Sequence, residues 1–213
     1  MKYFIKNLVT ITLLSSLVNV QSVVPYAGSY TSNNVVIDHA QPFQDYIPMP
    51  YARWFEDVSR IFYRGSDAVA YDIGTGKSFN IRRTFGTNHA DIEPLTAADA
   101  AIMYDIWGGH SWARRPVLVF ANGYIFPGSL TNFPHAGRDD APAYAVVDNR
   151  SGGFGRGINF NGVQGNGVDG HMCLHFAGSL LHGSNRSNQD HQNAVIAARE
   201  HLMSTKHVSS TNN

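Results

Sequence analysis

One cysteine, Cys173, serves all 213 residues, so no intramolecular disulfide can form. Charge is also sparse: Asp, Glu, Lys and Arg make up 15% of the chain, with 16 basic and 16 acidic residues. Lacking a basic excess, the chain has no general attraction for phosphate backbones, and no nucleic-acid partner is expected. Long apolar runs are missing too. The stretch from Leu8 to Val20 falls short of the roughly 20 residues that cross a bilayer. No internal repeat and no low-complexity linker interrupts the rest.

Lys2 and Lys6 precede that apolar run, and Val20-Gln21-Ser22 closes it with compact residues. This pattern predicts a signal peptide over residues 1–22 and an exported chain beginning near Val23. No cysteine stands at the cut to carry a lipid, so the expectation is a secreted protein with no membrane span after signal removal. Removing Lys2 and Lys6 takes the 16 basic residues to 14 against 16 acidic, a net charge of about −2. Residues 23–49 read as an extended arm, 50–205 as a single domain and 206–213 as a disordered tail.

The 20 glycines and the many Asn, Ser and Thr residues favour a loop-rich, strand-containing domain. From Pro50, Trp54, Val58, Ile61 and Phe62 recur at helical spacing. Residues 68–73 and 78–83 flank the turn Gly74-Thr75-Gly76-Lys77 and predict paired strands, with Phe79 and Ile81 on one face. Thr96, with Asp99 three residues on, predicts a helix N-cap, and Gly108-Gly109 a stop. Asn122-Gly123 between two apolar runs predicts a tight hairpin. A last helix is expected from His191 to Met203, capped by Asp190. The class is α+β: a small mixed or antiparallel, barrel-like sheet with flanking helices.

The chemistry converges on Gly170-His171-Met172-Cys173-Leu174-His175-Phe176. In a strand, period two puts His171, Cys173 and His175 on one face, so imidazoles flank the thiol. A neutral imidazole can accept its proton and a protonated one can lower its pKa, which is the layout of an activated nucleophile. The same atoms suit a soft metal, and zinc takes thiolate and imidazole together. His89-Ala90-Asp91 forms an H-x-D able to hold metal, orient a base or cap the following turn. His182-Gly183-Ser184 is either loop surface or a second base. His135 follows Pro134 on a loop, and Arg82 or Arg83 could hold a substrate carboxylate.

The core His171-Met172-Cys173-Leu174-His175-Phe176 resembles the cysteine motif of the YkuD-like L,D-transpeptidases. In those enzymes the cysteine attacks a peptide-stem carbonyl and an upstream histidine is the base. The matching position for that base is His135. A longer pattern is similar to a group of secreted bacterial domains found with peptidoglycan-binding modules: His89-Ala90-Asp91-Ile92-Glu93-Pro94-Leu95-Thr96, Pro134-His135, Gly170 to Phe176, Ser179, His182-Gly183 and His191-Gln192.

The resemblance implies an exported cell-wall enzyme acting on peptidoglycan stem peptides without a cofactor. Cys173, His135, His171 and His175 would be catalytic, with Arg82, Arg83, His89, Asp91 and His182 binding substrate. Backbone amides near Gly170 to Cys173 would form the oxyanion hole. One alternative is a zinc amidase or peptidase drawing ligands from His89, Asp91, His171, Cys173, His175 and His182. Another is a noncatalytic wall-binding domain that stacks Trp107, Trp112, Tyr124 and Phe126 on sugars.

Overall fold

The computed structural model describes residues 46–210, with side chains through Thr205. The expected signal peptide, nearly all of the arm and residues 211–213 lie outside the described residues. In chain order the elements begin with β1 (Ile47–Pro48), a π-helical turn (Trp54–Val58) and α1 (Ser59–Ile61). Next come β2 (Asp67–Asp72), β3 (Ser78–Phe85), β4 (Ala90–Pro94), α2 (Ala97–Trp107), β5 (Arg115–Ala121) and β6 (Tyr124–Leu130). The chain finishes with β7 (His135–Ala136), β8 (Val146–Arg150), β9 (Gly155–Ile158), β10 (Gly170–His175) and α3 (Gln189–Ser210).

Six of these strands close on themselves. The sheet runs β6-β5-β2-β3-β4-β10, and β10 pairs back onto β6 through Leu174 with Leu130 and His175 with Ser129. Every pairing in the ring is antiparallel. The result is a barrel with β1 and β7 attached at its seam, which agrees with the expected α+β class. Closure removes the exposed edges that an open sheet would leave.

Alternation decides what fills the barrel. Phe79, Ile81, Ile92, Val117, Val119, Phe126, Met172 and Leu174 point inward and are almost fully buried. On the outer face of β5 and β6, Leu118, Phe120 and Ile125 pack under Ala198 and Leu202 of α3. Because Met172, Leu174 and Ile92 take the inside, Cys173, His171 and Asp91 must stand on the outside of the barrel wall. That parity positions the candidate site.

Local signals explain several boundaries. The Thr96 hydroxyl accepts the Asp99 amide at 3.1 Å, and Gly108 ends α2 at φ 71°. Asn122 and Gly123 both have positive φ, 48° and 83°, as a type I′ turn requires. The helix expected from Pro50 is instead a π turn running into α1. There the Val58 amide reaches the Arg53 carbonyl five residues back, at 3.0 Å. Trp54 at its head stacks on Phe176 with centroids 5.7 Å apart and donates Nε1–H to the Thr87 carbonyl at 2.7 Å. The helix expected from His191 to Met203 runs Gln189–Ser210 and so enters the stretch read as a tail. Among the described residues, no helix is long and apolar enough to cross a membrane.

Candidate active site

The site is assembled by two cross-strand pairs on the outer face of the wall. Cys173 of β10 faces Asp91 of β4, and His171 faces His135 of β7. The second pair depends on a close backbone approach. Gly170, at φ 100°, lies so near β7 that a Cβ would stand 2.2 Å from the His135 carbonyl oxygen. A Gly170→Ala substitution is therefore expected to prise β7 away and cost about 3 kcal/mol or more, measured as a shift in the urea unfolding midpoint. Stability equal to wild type would contradict that packing.

His135 then comes within reach of the thiol, with Nε2 3.8 Å from Cys173 Sγ. Its Nδ1 lies 3.0 Å from the Phe133 carbonyl, which can only accept, so Nδ1 carries the hydrogen. In the neutral ring this leaves the Nε2 lone pair facing sulfur. Burial, reinforced by the neighbouring His171, pulls the His135 pKa down to about 4, so the ring is neutral at physiological pH. Burial and the Asp91 charge push the Cys173 thiol up, against the smaller opposing pull of Arg114. The resting pair is thus thiol and neutral imidazole, not thiolate and imidazolium.

Behind the pair, three imidazoles face one buried carboxylate. His182 Nε2 and His89 Nε2 lie 3.0 and 3.2 Å from Asp91 Oδ1, and His171 Nε2 lies 3.7 Å from Oδ2. Burial opposes ionisation of Asp91, yet the surrounding rings outweigh it and hold the carboxyl below the usual carboxylate range. Its hydrogen bond to Asp91 raises the His182 pKa. The H-x-D therefore caps no turn: Asp91 lies within β4. Asn88 brings His182 over it, since its side chain donates to the Leu181 carbonyl at 3.1 Å and its carbonyl accepts the Leu180 amide at 2.9 Å.

These groups line a cavity of about 650 Å³ with aromatic walls. Phe85 and Phe160 form its inner side, and half-exposed Trp112 and Phe154 stand at its rim.

Several expected residues take other places. Arg82 forms a two-pronged pair with Asp67 at 2.6 and 3.0 Å. Arg83 is buried, donates to the Ser59, Phe62, Phe85 and Gly86 carbonyls, and covers the Trp54 ring. Neither lines the cavity, so neither can hold a substrate carboxylate there; Arg64 and Arg150 are the cations that do. His175 shares the Cys173 face but lies deeper, fully buried and stacked between His89 and His191 at 4.1 and 3.7 Å. It does not line the cavity that Cys173 faces. The Gly170 amide donates to Asn161 and to the Val168 carbonyl, so it is not open to an oxyanion. Of the four aromatics considered for sugar stacking, only Trp112 reaches the cavity. Phe126 is core, and Trp107 and Tyr124 pack against it.

Sequence reasoning passed over Arg64, Phe154 and Phe160, which belong to no recognisable motif. It also left His191 without a role. That ring is buried, with Nδ1 2.8 Å from Ser129 Oγ. No family model, no curated protein and no solved structure matches this chain.

Proposed function

We propose that the protein is an exported cysteine acyl-transfer enzyme acting on peptidoglycan stem peptides. The observation that carries this reading is the Cys173–His135 couple, 3.8 Å apart inside the cavity, with the Phe133 carbonyl fixing the tautomer that presents a lone pair to sulfur. A nucleophile, a base and a group orienting that base form the minimal set for covalent catalysis.

The step balances with these residues alone. Sγ attacks the carbonyl carbon of a peptide bond as its proton passes to His135 Nε2. The C–N bond then breaks, and the leaving amine takes that proton. The resulting thioester is attacked by an acceptor amine, giving a cross-link, or by water, giving hydrolysis, and the thiol is restored. Because His135 is a weak base here, its proton moves only as the carbon–sulfur bond forms. Among the described residues, Arg64 makes a single hydrogen bond, a 3.3 Å contact to the Gly86 carbonyl, which leaves donors for a stem carboxylate; the Arg150 guanidinium is committed to the Phe154, Gly155 and Ile158 carbonyls. The test is turnover of stem peptides by wild type and by Cys173→Ser. Equal rates would sink the reading.

A further inference from the structure

The second cluster beside the couple has chemistry of its own. His89 is 1% exposed, and among the described residues its Nε2 makes no hydrogen bond although Asp91 Oδ1 lies 3.2 Å away. Its Nδ1 is 2.8 Å from the Leu180 carbonyl, an acceptor, so Nδ1–H is fixed there and Nε2 is the ring atom turned to the carboxylate. A ring nitrogen and a carboxylate oxygen so placed in a buried site call for a positive charge between them, a proton or a metal ion. His182 Nε2 reaches the same oxygen at 3.0 Å, its ring packed against that of His89 with centroids 4.0 Å apart.

We propose that His89 Nε2, Asp91 and His182 Nε2 form a binding site for a divalent transition metal, with zinc the best fit. Their ligand atoms all lie within 4.8 Å of one another. Zinc bonds of roughly 2.0–2.1 Å in a tetrahedron place ligand atoms about 3.3 Å apart, close to the observed 3.0 and 3.2 Å separations. Two imidazoles and one carboxylate match that ion's preferred donors. The Leu180 carbonyl supplies the outer contact that usually fixes a ligating histidine's tautomer. All three side chains line the cavity, so the remaining coordination position opens on the space that Cys173 faces.

The set is narrower than the sequence alone allowed. The Cys173 thiol is turned to His135, His175 lies behind His89 in the ring stack, and His171 approaches only the other Asp91 oxygen, at 3.7 Å. The site stands independently of the acyl-transfer reading, because metal binding is measured without turnover.

The experiment is zinc titration by calorimetry on the chelator-stripped chain, for wild type, Cys173→Ala, His89→Gln and His182→Ala. His182 is the safest ligand to remove, since its side chain is 40% exposed, and circular dichroism confirms that each variant is folded. The expected result is one zinc per chain in wild type and Cys173→Ala, weakened by roughly 100-fold or more in His182→Ala. Cobalt bound in its place should show a tetrahedral visible spectrum without a sulfur charge-transfer band. Absence of binding by folded wild type, binding undiminished in His182→Ala, or a sulfur band lost in Cys173→Ala would each overturn the proposal.

Discussion

Cys173→Ser is expected to lower turnover of peptidoglycan stem peptides by on the order of 10³-fold or more, with the unfolding midpoint little changed. The substitution keeps the shape of a half-buried side chain, so the fold has little reason to respond. The chemistry does. His135, with its pKa drawn down to about 4, is too weak a base to activate a serine hydroxyl, whereas a thiol is nucleophilic enough to react as its proton leaves. His135→Ala should share much of the loss, because the two residues act as one unit and their effects do not add. A serine variant with wild-type turnover would show that sulfur is not the attacking atom.

Alkylation of Cys173 in the metal-free chain is expected to accelerate about tenfold for each pH unit from roughly pH 6 to pH 9, without levelling off. Only the thiolate reacts, so the profile reports the thiol's ionisation. Burial first, and then the negative charge of Asp91 across the strand pair, disfavour the thiolate and displace its pKa upward. The thiolate fraction therefore keeps rising tenfold per unit until the pH reaches that displaced value. At pH 7 the reaction should be slower than that of a free thiol with a pKa of about 8.5. A plateau below pH 8, followed by intact mass, would show instead a pre-formed thiolate–imidazolium pair. The two predictions are linked: a thiol held neutral at rest reacts only where a substrate carbonyl is placed beside it, which restrains side reactions in an exposed cavity.

Much of the frame was legible because its causes are local. The Thr96–Asp99 cap and the Asn122-Gly123 turn are set by residues a few positions apart, and both form as the sequence predicts. The period-two rule placed His171, Cys173 and His175 on one face of a strand, and Met172 and Leu174 do take the interior. That rule could not give depth along the strand. Cys173 meets the cavity, but His175 lies under His89 and His191, because the seam with β6 and the start of α3 cover that end of β10.

The arginines show the same limit. Arg82 and Arg83 look free in sequence, yet tertiary structure brings Asp67 on the neighbouring strand to Arg82, and the carbonyls of Ser59 in α1 and Phe62 just after it to Arg83. His135 was identified through a motif resemblance, and no sequence spacing predicts its place. The register of β7 against β10 is set by the tight passage at Gly170, after an excursion from 138 to 168 that carries the β8–β9 hairpin. The H-x-D at His89 and Asp91 stays open in sequence between metal ligand, base orienter and turn cap for a related reason. The histidine that completes it, His182, lies 91 residues away and is brought over β4 by Asn88.

Covalent catalysis by Cys173 is tested by intact-mass analysis of the chain, acid-quenched during turnover of a stem-peptide substrate, with peptide mapping of any adduct. The expected result is a transient gain equal to the acyl portion of the substrate, carried as a thioester on Cys173 and absent from Cys173→Ala. Product accumulating while Cys173 stays unmodified at every quench time, or an adduct on another residue, would contradict it.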